Sequence, residues 1–236
     1  MNNDWLTAFV LHRRSYRETS YIVDFFTQEQ GKVSAVAKGV RNSKSEKKSL
    51  LQPFQPLKVQ FSGKSELKNL RHVESTAPAI ALRGTPLFCA MYVNELTNRI
   101  MPSGLASDAV YQAYKHTLSS LLNNLDIEIT LRNFEFALLD EMGLLPDFTN
   151  DVEHQSPIQS DKYYVLQPEH GFCAVPEDEK AMSRRGVPGS ALLALAQGEY
   201  TAQSKKVAKF VCRDLLKSLI GDKPLKSREL FSAGKG

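Results

Sequence analysis

Cysteine is scarce: Cys89, Cys173 and Cys212 lie far apart in a chain of 236 residues, and no two of them form a CxxC pair. An odd number so spaced excludes a disulfide scaffold and a four-cysteine zinc site supplied by this chain, and it fits a reducing compartment. Long apolar runs are missing as well. No segment approaches the ~20 apolar residues a bilayer-spanning helix needs. The opening MNNDWLTAFVLHRRS has an acid at position 4, a very short apolar run and no small-residue cleavage site. A secretory signal is therefore not expected, and the cytoplasm is the expected compartment.

The usual signatures of catalysis are absent too. No serine sits in a GxSxG context, and His12, His72, His116, His154 and His170 form no HxxxH or HExxH arrangement. Ser62-Gly63-Lys64-Ser65 resembles the end of a phosphate-binding loop, but Lys58 stands where that pattern requires glycine, and Glu66 to Val73 alternates as a strand rather than a helix. It reads as a hairpin turn. Asp140 and Glu141 are adjacent on a helix and point in different directions, and Asp147, Asp151 and Glu153 lack the spaced oxygens of a calcium loop. These acids are read as solvated. The chain is expected to be no enzyme, with no cofactor and no metal.

What the sequence does have is segregated charge. Residues 1–80 carry 13 Lys+Arg against 7 Asp+Glu, residues 81–160 carry 4 against 10, and residues 161–236 carry 13 against 9. Separate basic and acidic surfaces follow, and the basic ones suit a polyanion such as nucleic acid. The bias is strongest between Lys32 and Arg71, where ten cations face only Glu46 and Glu66.

Around that stretch the apolar residues alternate: Val33, Ala35 and Ala37, then Leu57, Val59 and Phe61. Strands are expected at Trp5–His12, Tyr21–Phe26, Val33–Val40, Pro56–Phe61 and Leu67–Val73, with Arg41 to Ser49 as a solvated loop. Five short strands within roughly 75 residues suit a small closed barrel of the OB type, which often binds single-stranded nucleic acid. The rim cations Lys38, Arg41, Lys44, Lys47, Lys48, Lys64 and Lys68 are the candidate phosphate contacts. Tyr16, Tyr21, Phe54 and Phe61 would stack on bases where they face outward, or fill the barrel where they face inward.

Beyond residue 80 the period changes. Leu87, Met91, Val93, Leu96 and Ile100 mark one helix; Val110, Tyr114, Leu118, Leu121 and Leu122 a second; Ile129, Leu131, Phe134, Leu138 and Met142 a third, which Gly143 terminates. Asp147 to Asp161 reads as an acidic linker, YYVLQPEHGFCAV as a β-hairpin, and Ser190–Ala196 and Gln203–Leu219 as further helices. The expected fold is therefore α+β. Residues 1–80 form a five-stranded OB barrel, and residues 81–236 form a helical domain interrupted at about 147–180 by the linker and hairpin.

Taken together, FVLHRRSYRETSYIVDFFTQEQGKVSAVAKGVR, LQPFQPL, YVNEL, LRNFEFALLDEMG and GDKPLKSREL resemble the RecO family of bacterial DNA repair proteins, in the family's order from Phe9 to Leu230. The resemblance implies an N-terminal OB-fold, a helical domain, and an ATP-independent role in recombinational repair. It implies binding of single- and double-stranded DNA and annealing of complementary strands. It also implies contact with the acidic C-terminal tail of the single-stranded DNA-binding protein SSB and, with RecR, help in loading RecA. Many members carry a four-cysteine zinc module between the helical segments, where this chain has only Cys173; the resemblance is to the zinc-free branch.

An acidic, apolar-ended tail needs an apolar slot beside a cation. Arg132, within LRNFEF, matches the family motif, and Lys206 and Lys209, with Lys205, lie on the polar side of the last long helix. Arg132 and Lys206 are the expected receptors; the competing expectation pairs Arg132 locally with Glu128 or Glu135. A different class of function, an RNA-binding OB protein without recombination partners, remains open on sequence alone.

Overall fold

The computed structural model describes residues 4–41, 46–168, 170–176 and 186–233. They fall into two compact units, residues 1–134 with 222–236, and residues 135–221.

The first unit is built on strands β1 (Leu6–Tyr16), β2 (Ser20–Thr27), β3 (Gly31–Ala37), β4 (Leu57–Ser62) and β5 (Lys68–Ser75), closed into a barrel in the order β1-β2-β3-β5-β4. Closure comes from antiparallel pairing of β1 with β4 and a short parallel ladder between β3 and β5. This is the OB-fold arrangement, and it leaves no long unpaired edge. Alternation fills the interior with Val10, Val23, Phe25, Ala35, Leu57, Val59 and Val73, and Phe25 packs on Phe61 at 5.3 Å between ring centroids. Burial of each large apolar side chain contributes about 1.5–3 kcal/mol.

Helix α1 (Glu46–Leu50) corrects the expectation of an unbroken loop from Arg41 to Ser49. Leu50 and the fully buried Leu51 join the barrel's apolar cluster, so the end of this polar segment is pulled into one turn of helix. A β-bulge between Val10 and His12 bends β1 and lets it run four residues beyond its expected end.

Two helices cover part of the barrel's outer wall. Helix α2 (Gly84–Ile100) buries Asn94, which donates from Nδ2 to the Val10 and Leu11 carbonyls at 3.2 Å. Helix α3 (Asp108–Leu122) buries Tyr111 and Tyr114 against Phe9 and Phe26, with ring centroids 5.2–6.1 Å apart. Tyr114 in turn donates its hydroxyl to Asn94 Oδ1 at 2.6 Å. Glycine is required at position 31, where φ is +64° and a Cβ would collide with the Leu105 carbonyl.

The expected apolar stripe of α2 holds at Val93, Leu96 and Ile100, which are buried, and is corrected at Leu87 and Met91. Leu87 and Met91 are only half-buried, and Cys89, Tyr92, Asn94 and Thr97 take the inner positions. The helix serves two neighbours, since Phe88 also packs on Phe231 of a C-terminal helix α7 (Ser227–Ala233) at 5.7 Å. Glu95 holds α7 by accepting from the backbone N–H groups of Lys226 and Ser227 and from the Ser227 hydroxyl at 2.7–3.0 Å. Leu122, expected inside, is exposed at the end of α3.

The boundary between the units falls within helix α4 (Ile127–Glu141), which ends before Gly143 at φ +69°. The second unit holds a five-stranded sheet in the order β10-β8-β9-β6-β7, made of β6 (Asn150–Asp151), β7 (Ser156–Pro157), β8 (Tyr163–Gln167), β9 (Gly171–Ala174) and β10 (Val187–Pro188). The expected hairpin is β8–β9; three short strands extend it. Helices α5 (Gly189–Ala196) and α6 (Ala202–Ile220) complete the unit, and α6 opens on a capping box between Thr201 and Ser204.

The reading of Asp147 to Asp161 as a linker of solvated acids is corrected at Asp151. That side chain is 2% exposed and accepts from the backbone N–H groups of Glu153, His154 and Ala174 at 3.0–3.2 Å, and its Oδ2 lies 3.0 Å from His154 Nδ1. Desolvation works against its charge, and these hydrogen bonds outweigh it and leave the carboxyl below the usual range.

Candidate nucleic-acid interface

One end of the barrel gathers cations from four segments. The Arg41 backbone N–H donates to the Thr19 carbonyl at 2.9 Å and its guanidinium donates to the Arg17 carbonyl at 3.2 Å. The chain leaving β3 is thereby tied to the β1–β2 turn, with Lys38 exposed between them. Arg13 lies over the Tyr21 ring at 5.3 Å and donates to the Leu51 carbonyl at 3.2 Å, joining the same end to the segment that carries Lys47 and Lys48. Arg17 lies over Tyr16 at 5.2 Å. Glu18 is the acid of this turn, and among the described residues it forms no ion pair with these cations.

Lys64 is exposed in the β4–β5 turn, and Lys68 donates to the Gly63 carbonyl at 3.3 Å. Lys68 stands beside Ala35 in the parallel ladder. Lys38 directly follows β3, three residues beyond Ala35, roughly 10 Å at the strand rise. The structure thus groups Lys38 and Arg41 tightly, adds Lys47 and Lys48 through α1, and places Lys64 and Lys68 part-way down the wall. Lys44 lies outside the described residues.

The outer wall of β1, β2 and β3 leads up to this end. Cross-strand neighbours His12, Asp24 and Ser34 form one row, and Arg14, Ile22 and Val36 the next. Asp24, 5% exposed, accepts from Ser34 Oγ at 2.6 Å and from Arg14 at 3.0 Å, with His12 at 3.6 Å. Burial opposes its charge, and the hydrogen bonds and the Arg14 guanidinium more than offset it, so the carboxyl titrates below the usual range. Lys32, half-buried, donates to the Asn98 carbonyl at 2.7 Å; desolvation lowers its pKa, partly opposed by Asp24.

Arg13, Arg14 and Arg17 escaped the sequence reading because RRSYRETS looked like a turn. Of the aromatic residues, Phe54 is buried at φ +64°, Phe61 and Tyr21 pack against the barrel core, and Tyr16 alone of the four points along the outer wall with partial exposure.

Arg132, half-buried on α4, belongs to the first unit and engages other groups of the chain. Lys206 and Lys209 are exposed on α6 in the second unit, and Lys205 is half-buried there. Among the described residues no cluster of three or more His, Cys, Asp or Glu side chains is arranged to hold a metal, and no described helix is long and apolar enough to cross a membrane.

A closed five-stranded barrel with a cationic end, followed by helices and a small sheet, defines an α+β protein of the OB-barrel class. Its first 79 residues match the family model for the recombination protein O N terminal, and residues 83–229 match that for the recombination protein O C terminal. The DNA repair protein RecO of Alteromonas mediterranea is 70% identical over 98% of both chains. RecO of Pseudoalteromonas atlantica is 45% identical over 98% of this chain and 95% of its own, and RecO of Haemophilus influenzae 39% over 98% and 97%. The chain belongs to the RecO family of DNA repair proteins.

Proposed function

We propose that the chain is a non-enzymatic recombination mediator. It binds single- and double-stranded DNA through the barrel, anneals complementary strands and, with SSB and RecR, helps load RecA, acting in the cytoplasm at the nucleoid. Residues 1–80 are the nucleic-acid-binding domain and residues 81–236 the helical domain. Lys38, Arg41, Lys44, Lys47, Lys48, Lys64 and Lys68 hold phosphates. Arg132, Lys206 and Lys209 receive the acidic SSB tail.

The observation that carries this reading is the Arg41 tether, which gathers Arg17, Lys38 and Arg41 at one barrel end without ion-pair partners among the described residues. Two DNA strands repel one another, and a shared cationic surface lowers that cost by releasing condensed counterions. No covalent step is needed.

The test is annealing of complementary oligonucleotides coated with SSB. The triple variant Arg41→Glu, Lys47→Glu, Lys48→Glu loses annealing, and its single-strand affinity varies less with salt, the log–log slope falling by about 2 if each contact contributes about 0.7. Wild-type annealing by that variant overturns the reading.

A further inference from the structure

The chain has one tryptophan, and it is on the surface. Trp5 is 38% exposed, although burying such a side chain would remove some 150–250 Å² from water. Leu6, Val59 and Val73 point into the barrel, so their neighbours Trp5, Gln60 and His72 point out. The Trp5 and His72 rings stand 6.1 Å apart between centroids, tilted by 54°, and Gln60 on the strand between them is only 7% exposed. The exposed Arg71 directly precedes His72, at the bulge in the β4–β5 ladder, and the exposed Lys58 lies one step along β4 on the same face. Glu74, opposite Lys58, and Asp4 are the acids nearby.

We propose that Trp5 and His72 form a stacking platform for an unpaired base of single-stranded DNA, with Arg71 and Lys58 reaching the flanking phosphates. The platform rests on the nucleic-acid reading above and adds to it a second contact, on the β1–β4–β5 wall rather than at the cationic end. A tilted aromatic pair with a guanidinium beside it offers a face to any base, whereas paired bases in a duplex keep their faces stacked. The wall therefore selects single strands, which the phosphate-binding end does not.

Because Trp5 is the sole tryptophan, its emission reports the contact directly. The full chain is titrated with a 5′-labelled oligothymidylate and, separately, with a blunt duplex of equal length, following label anisotropy for binding and Trp5 emission for stacking. Both DNAs raise the anisotropy, and only the single strand quenches Trp5. Trp5→Ala weakens single-strand binding about five- to a hundred-fold and leaves duplex binding within about twofold. Trp5→Phe, which keeps a ring, restores most of the loss, as no folding defect would. Bound single strand with unchanged Trp5 emission overturns the platform and leaves the phosphate reading standing; no anisotropy change with either DNA overturns both.

Discussion

Asn94 on α2 donates its side-chain amide to the Val10 carbonyl at 3.2 Å, at the point where β1 bulges. The register of β1 against β2 shifts between Val10 and His12, and there Asn94 supplies the Val10 and Leu11 carbonyls with a donor while Tyr114 satisfies the Asn94 side-chain oxygen. Replacing Asn94 by Ala removes the donor to both carbonyls and the acceptor of the buried Tyr114 hydroxyl, at about 1–3 kcal/mol for each group left without a partner. The expected loss is about 3 kcal/mol in urea unfolding, and Asn94→Asp, which sets a carboxylate against two carbonyls, is at least as damaging.

Asp24 holds the Arg14 guanidinium at 3.0 Å, and under the proposed DNA-binding function it keeps that group from a phosphate. Asp24→Asn frees that guanidinium, so affinity for DNA rises and the log–log salt slope steepens by up to about 1. The barrel loses about 1–2 kcal/mol, a modest figure because Arg14 is half exposed and screened. Binding isotherms across a salt series, with a thermal melt of the same variant, separate the two effects.

The barrel end and the second unit are separable by charge reversal. Lys38→Glu with Arg41→Glu lowers DNA affinity at least about tenfold at low salt, the loss shrinking as salt rises. Lys206→Glu with Lys209→Glu leaves DNA affinity within about twofold and weakens binding of an SSB tail peptide. Peptide binding equal to wild type would remove those lysines from the proposed receptor.

Asp151 makes the second unit sensitive to acid. Its folded pKa lies below the unfolded value of about 4, so its contribution is complete above that value and is lost as pH falls through the folded pKa. Asp151→Asn keeps the shape and removes the charge, at a cost of about 2 kcal/mol. Its melting temperature is lower than wild type at pH 7, and the difference narrows as pH falls below about 4 toward the folded pKa.

The barrel was legible in the sequence because period-2 alternation is a local signal: Ala35, Ala37, Leu57, Val59 and Phe61 join the interior cluster as read, and Val33 is buried opposite Phe25. Lys38 and Arg41 were legible as part of a basic run. Arg14 was not, because β1 runs on through RRSY after a bulge whose Val10 carbonyl is met by Asn94, 84 residues away, and Arg17 was visible only as part of a polar turn. Asp151 could not be told from a solvated acid, since one of its donors is the backbone of Ala174 in β9. The C-terminal helix was equally hidden: SRELFSA is seven residues long, and what holds its start is Glu95, 132 residues before Ser227.

That last contact bears on how the molecule is made. The first unit is discontinuous, and its final piece docks on α2 only after everything from Glu135 to Gly221 has been synthesised. At about 5–20 residues per second, the 132 residues between Glu95 and Ser227 leave α2 without its clasp for roughly 7–26 s, with Phe88 and the Glu95 carboxylate open to water or to other nascent chains.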